Sequence, residues 1–194
     1  MIQPNAAFTQ AVQAAVERVE AGTDAELVVV AASRSGSYRD LAAALAGLCC
    51  LGALLGAAAS PWVFSPFVLP IELALLALAL SWLFDRSPWL LRPLASAARR
   101  KAQVDDAANA AFYAEGIHTT PERAGVLVYL SALEGEVRVL ADTGLLAPQV
   151  DWDAGSTAGF VASLERLGAA LAELRPAGPG PNPNHLDNAP RVRP

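Results

Sequence analysis

From Leu41 to Phe84 the chain runs for 44 residues with a single formal charge, Glu72. No feature constrains the fold more. Leu41 to Ser60 is twenty residues without a charge, and at a rise of about 1.5 Å per residue such a helix matches the roughly 30 Å of a bilayer's hydrocarbon core. Pro66 to Phe84 is nearly as long. Between them Pro61-Trp62-Val63-Phe64-Ser65 forms an uncharged turn with aromatics of the kind found at a membrane interface. Two helices buried inside a soluble protein are the alternative. Length, all-round apolarity and basic flanks favour a transmembrane helical hairpin.

The flanks predict its orientation. Arg34 and Arg39 precede the first span, and Arg86, Arg92, Arg99, Arg100 and Lys101 follow the second. The positive-inside rule places both ends in the cytoplasm, and the Arg99-Arg100-Lys101 cluster then reads as a topology and headgroup signal. Met1 to Gly22 has neither the basic start nor the apolar run of a signal peptide. The expectation is a multi-pass integral membrane protein with both termini cytoplasmic, its partner the lipid bilayer. Gly52 and Gly56 have the Gly-x-x-x-Gly spacing that lets helices approach closely. They would seat the second span, the more ordinary use, or a membrane-protein partner. Glu72 lies near the outer end of the second span, where it could act within the membrane or snorkel to the interface.

Composition fits this division. Charged residues make up 17% of the chain, against about 25% in ordinary soluble domains. All but one of the 14 basic and 19 acidic residues lie outside the apolar stretch. The remainder is therefore of normal polarity. This rules out a purely soluble protein, a disordered chain and a disulfide scaffold, and room for only two crossings argues against a multi-span transporter. A net charge of −5 and a pI near 5.0 argue against nucleic-acid binding, which needs a basic footprint. Cys49 and Cys50 are adjacent within the apolar stretch and read as small apolar residues.

On either side of the hairpin the pattern is α/β. Asn5 to Gly22 carries Phe8, Val12, Val16 and Val19 at helical spacing, with Asn5 as cap. Glu26 to Ala32 is a continuous apolar run and predicts a strand buried on both faces. Gln103 to Gly116 predicts a helix, Gly125 to Ser131 a central strand, Glu136 to Asp142 an edge strand paired in a hairpin, and Ser156 to Leu174 a helix capped by Ser156. The first two strands are joined by a crossover containing a helix and should be parallel. Pro176 to Pro194 holds six prolines and predicts a disordered tail. The expected fold is a three-layer α/β/α sandwich with a small mixed sheet, interrupted by a two-helix transmembrane hairpin. The parts are 1–40 and 85–175 for the α/β domain, 41–84 for the hairpin and 176–194 for the tail.

Thr120-Pro121-Glu122-Arg123-Ala124-Gly125-Val126-Leu127-Val128-Tyr129-Leu130-Ser131, followed by Val137-Arg138-Val139-Leu140-Ala141-Asp142-Thr143-Gly144-Leu145, resembles the TPM domain family. Its pattern is an arginine, a small residue and a Gly-Val-Leu strand, then a hairpin strand ending in aspartate and glycine. Ala25-Glu26-Leu27-Val28-Val29-Val30 is similar to the family's first strand. The resemblance covers roughly residues 7 to 175 and points to a bacterial inner-membrane subgroup with a hairpin between those strands. It implies an α/β/α sandwich. It also implies a choice of roles, since some members are described as acid phosphatases, some bind calcium or another divalent ion through loop carboxylates, and many have no known activity.

Four residues are candidates for ligand or metal contact. Asp142 ends a strand beside Gly144, where ligands of open α/β sheets bind; it is either a presented carboxylate or a turn aspartate bonded to its own backbone. Asp24 and Glu26 flank the start of the first strand, and with Asp142 they would hold a hard cation, Ca or Mg, if the loops converge. Arg123 would clamp a phosphate or carboxylate, or pair with Glu122 or Asp142. Asp151 and Asp153 suit the start of the last helix. His118 and His185 have no Ser or Cys partner at catalytic spacing. The expected role is a membrane-anchored binding or assembly module at the cytoplasmic face, with a divalent-metal-dependent phosphatase-like hydrolase as the alternative.

Overall fold

A computed structural model describes residues 2, 4–120, 123–178 and 186–193. The chain divides into two compact units, Met1–Gly36 with Arg100–Pro194, and Ser37–Arg99. The first is an α/β unit around a four-stranded mixed sheet of order β3-β2-β1-β4. β1 (Glu26–Ala32) and β2 (Gly125–Ser131) are buried along their whole length, which is why both are unbroken apolar runs rather than alternating ones. They pair in parallel from Glu26 opposite Gly125 to Ala32 opposite Ser131. β3 (Glu136–Ala141) returns antiparallel to β2 from the turn at Gly135, whose φ of +68° suits glycine.

Alternate strand residues feed two cores. Leu27, Val29, Val126 and Val128 face α1 (Ala6–Glu20) and α6 (Thr157–Leu174), where Phe8, Val16, Phe160 and Leu167 complete the cluster. Val28, Val30, Leu127 and Tyr129 join a second cluster with Val104, Ala108 and Phe112 of α5 (Ala97–Ala114). Both predicted caps form: Asn5 Oδ1 accepts from Phe8 N at 2.9 Å, and Ser156 Oγ accepts from Gly159 N at 3.0 Å. α5 begins six residues before the predicted Gln103, so Arg99, Arg100 and Lys101 are helical.

The tail departs from the expectation of disorder. Arg191–Arg193 forms β4, parallel to β1 at Val30 to Ala32. Charge fixes it there: Arg191 Nε and Arg193 Nη2 reach the two oxygens of Glu115 at 3.0 and 2.6 Å, and Ser33 N donates to Arg193 O at 3.0 Å. The rest of that prediction, over 179–185, lies outside the described residues, as does His185.

The second unit holds α2 (Arg39–Ala59), α3 (Leu69–Arg86) and the short α4 (Pro88–Leu91). α2 packs on α3, with Cys50 Sγ 3.5 Å from Leu73 O. Both cysteines are free thiols. α2, with a mean hydropathy of 2.2 over its most apolar window, is long and apolar enough to cross a membrane. α3 is 18 residues long but carries Glu72, Asp85 and Arg86, which leaves α2 as the one helix among the described residues that meets the criterion. At the base of the unit Arg99 grips both oxygens of Asp40 at 2.7 Å.

Two glycine positions contrast sharply. A Cβ on Gly168 of α6 would lie 2.4 Å from Val19 Cγ2 of α1, so that glycine sets the approach of the two helices; at Gly52 and Gly56 a Cβ meets nothing within 4 Å. The Gly-x-x-x-Gly pair is therefore not a packing notch between the two apolar helices, contrary to the intrachain use expected from its spacing. Gly168→Leu should cost about 1–3 kcal/mol by overpacking, while Gly52→Leu leaves the denaturation midpoint within experimental error. Equal midpoint losses in both variants would contradict this packing.

Candidate functional site

The sheet brings three of the four predicted residues to one end. Because β1 and β2 are parallel and β3 runs against them, Glu26, Gly125 and the residue after Ala141 share an edge. Glu26 N donates to Ala124 O at 3.2 Å, and Asp142 N donates to Gly125 O at 2.9 Å. This is the amino end of the parallel pair. Asp142 does end a strand, but an antiparallel one, so it stands opposite the carboxyl-end crevice where open α/β sheets place ligands.

Asp142 is 6% exposed. Its Oδ1 accepts from Thr143 N at 2.7 Å and lies 3.9 Å from Arg123 Nη1. Of the two partners foreseen for Arg123, Asp142 is the one met, and Glu122 lies outside the described residues. The other oxygen, Oδ2, is buried without a hydrogen-bond partner among the described residues. Asp142 lines a cleft of about 220 Å³ with Asn109, Phe112, Tyr113, Leu140 and Thr143. Arg123 has φ +53°, a conformation L residues seldom adopt without surrounding constraint. Its carbonyl accepts from Gly144 N at 3.0 Å, so the residue is clamped between the start of β2 and the turn after β3.

Asp24 and Glu26 have other work. Asp24 Oδ1 accepts from Gly178 N at 2.9 Å, and Glu26 Oε2 accepts from Leu186 N at 3.4 Å. Both carboxylates hold the returning tail. Among the described residues no three His, Cys, Asp or Glu side chains gather closely enough to hold a metal ion. The convergence of Asp24, Glu26 and Asp142 on a Ca or Mg ion therefore does not form. Asp153 lies against the first turn of α6, as its position suggested, accepting from Gly155 N at 2.8 Å; Asp151 offers its carbonyl to Arg166 at 2.9 Å.

The carboxyl end of the parallel pair holds a cluster the sequence did not reveal. Glu134, 2% exposed, accepts from Ser35 N and Gly36 N at 3.2 Å each and from Ser131 Oγ. Ser35 Oγ donates to Ser131 Oγ at 2.7 Å and lies 3.1 Å from Tyr129 OH. A Cβ at Gly36 would sit 1.9 Å from Gln103 Oε1, so a side chain there would displace the end of Gln103. A buried carboxylate satisfied in this way is a staple. It ties the loop after β1 to the turn after β2, where the chain leaves for the apolar unit. The signal was present but faint: Tyr129 and Ser131 are the polar interruptions in an otherwise apolar central strand.

No family model, curated protein or solved structure matches this chain.

One more buried acid faces Glu26. Glu20, on the last turn of α1, is 8% exposed and accepts from Leu27 N at 3.1 Å. Burial, with the Glu26 charge adding to it against the Leu27 and Asn188 hydrogen bonds, pushes its carboxyl from the ordinary 4.5 up to about 7. Because the folded value is the higher one, this site's stabilising contribution is fully present below pH 4.5 and is lost as pH rises through 7. The shift amounts to roughly 3 kcal/mol. Glu20→Gln keeps an acceptor for Leu27 and removes the charge. Urea midpoints taken from pH 4.5 to pH 8 should fall more steeply for the native chain than for the variant, and parallel slopes would refute the assignment.

Proposed function

We propose that the chain is a membrane-anchored, TPM-like protein whose α/β unit, a three-layer α/β/α sandwich, serves as a binding or assembly module at the cytoplasmic face of a bacterial inner membrane. Residues 41–84 cross the bilayer as a two-helix hairpin, and both termini stay inside. One observation carries the reading. From Leu41 to Phe84 the exposed faces of α2 and α3 are apolar but for Glu72, with Leu48, Leu55, Ile71, Leu75 and Leu78 each more than 60% exposed. Exposed apolar surface on this scale is unfavourable in water and favourable in lipid. Trp62 and Phe67, 78% and 84% exposed in and beside the connecting turn, suit the interfacial belt. The basic residues flanking the unit and absent from its turn supply the orientation.

A binding role is favoured over hydrolysis by the side chains themselves. Arg123 pairs with Asp142, and Asp24 and Glu26 hold the tail, which leaves no carboxylate set among the described residues for metal-assisted phosphate chemistry. The full chain should accordingly release no phosphate from phosphate esters in the presence of Mg, Mn or Ca. Topology is tested by single cysteines in a background with Cys49 and Cys50 replaced by alanine. In intact cells an impermeant maleimide should label Ser65→Cys in the turn and spare Gln149→Cys in the α/β unit until lysis. The reverse pattern would overturn the orientation, and labelling of both before lysis would overturn the cytoplasmic placement.

A further inference from the structure

Glu72 is the only charge between Leu41 and Phe84, and its side chain makes no hydrogen bond or ion pair among the described residues. It lies in the first turn of α3, where the helix macrodipole favours a negative charge. The residue is exposed, and it borders a cleft. Between α2 and α3 runs a cleft of about 360 Å³, and Glu72 lines it together with Gly56, Ser60, Phe64, Leu73 and Leu76. Glu72 and Ser60 are the polar side chains of that lining; the rest is hydrocarbon. A Cβ at Gly56 would enter open space, with nothing within 4 Å of it.

A carboxylate one turn inside the end of a span, with no partner among the described residues, favours a cation where one is available. No basic residue lies between Leu41 and Phe84 to provide it. The complementary ligand carries one positive group with N–H donors and an apolar body. We infer that this cleft binds the ammonium head of an amphipathic amine, with Glu72 as the charge partner and the walls from Gly56 to Leu76 covering the chain next to it. The inference rests on the membrane reading above. The ammonium has two sources, the headgroup of an aminophospholipid or a free long-chain amine.

The test uses the full chain in nanodiscs of phosphatidylglycerol, doped in one arm with phosphatidylethanolamine and in the other with dodecylamine. Native mass spectrometry counts the amine molecules retained. Losing one charge-assisted hydrogen bond corresponds to about ten- to hundredfold in affinity, so Glu72→Gln should lower retention by at least that lower factor in the arm that supplies the ligand. Gly56→Leu, which fills the cleft and leaves the charge, should lower it as well. Retention in the phosphatidylethanolamine arm assigns a lipid, and retention with dodecylamine alone assigns a free amine. Undiminished retention in either variant, or none by the native chain in both arms, overturns the cleft as an amine site. Failure of the native chain to enter nanodiscs at all overturns the membrane reading first, a separate result visible before any amine is counted.

Discussion

Two seven-residue strands, buried on both faces and paired in parallel, determine most of this structure. A parallel pair cannot be closed by a tight turn; it requires a crossover that leaves the sheet at one end and returns at the other. The crossover here runs from Ser33 to Ala124 and includes the whole apolar unit. The residues that bracket the crossover are thereby under demand. Glu134 accepts from Ser35 N and Gly36 N at the exit and from Ser131 Oγ, and Arg123 takes up a left-handed conformation at the return. The two most unusual polar features of the α/β unit thus sit at the two ends of one topological requirement.

The same pairing settles what each end of the sheet can do. At the carboxyl end of β1 and β2, where open sheets present ligands, the polar groups are spent on one another. At the amino end, Glu20 and Glu26 face each other beneath the returning tail, and Asp142 keeps one buried oxygen unpartnered among the described residues. Burial is the main reason the Glu20 carboxyl is pushed up, and the Glu26 charge adds to it in the same direction.

The strands and caps were legible because their signals are local. Leu27 to Val30 and Val126 to Tyr129 are continuous apolar runs with β-branched residues, and their ends fall where the runs end. Asn5 and Ser156 cap helices by reaching a backbone N–H three residues on. The tail was illegible for the opposite reason. Arg191-Val192-Arg193 has no apolar face and follows a proline-rich stretch, so composition reads it as solvated; it is ordered by Glu115, some 76 residues earlier, and by the open edge of β1. The Ser35–Tyr129–Ser131–Glu134 cluster joins residues about a hundred positions apart, and no spacing in the sequence announces it. Asp142 and Glu26 were brought together by strand order, which the sequence did suggest, but their partners turned out to be Arg123 and the tail rather than a shared ion.

The two long helices of the apolar unit differ in how they are charged. α2 meets the test for a membrane span on its own, whereas α3 misses it through charges at its two ends. Those charges are not interior. Asp85 and Arg86 close the helix on the side of the basic flank, where Arg39 lies 3.9 Å from Asp85, and Glu72 opens it on the side of the aromatic turn. The uncharged segment between them, Leu73 to Phe84, is shorter than the roughly 20 residues a lone span needs. A helix with that pattern requires a neighbour and a favourable setting for its terminal charges. α2 provides the neighbour along its length, and the basic flank provides the setting at one end. The other end carries Glu72, whose side chain makes no hydrogen bond or ion pair among the described residues.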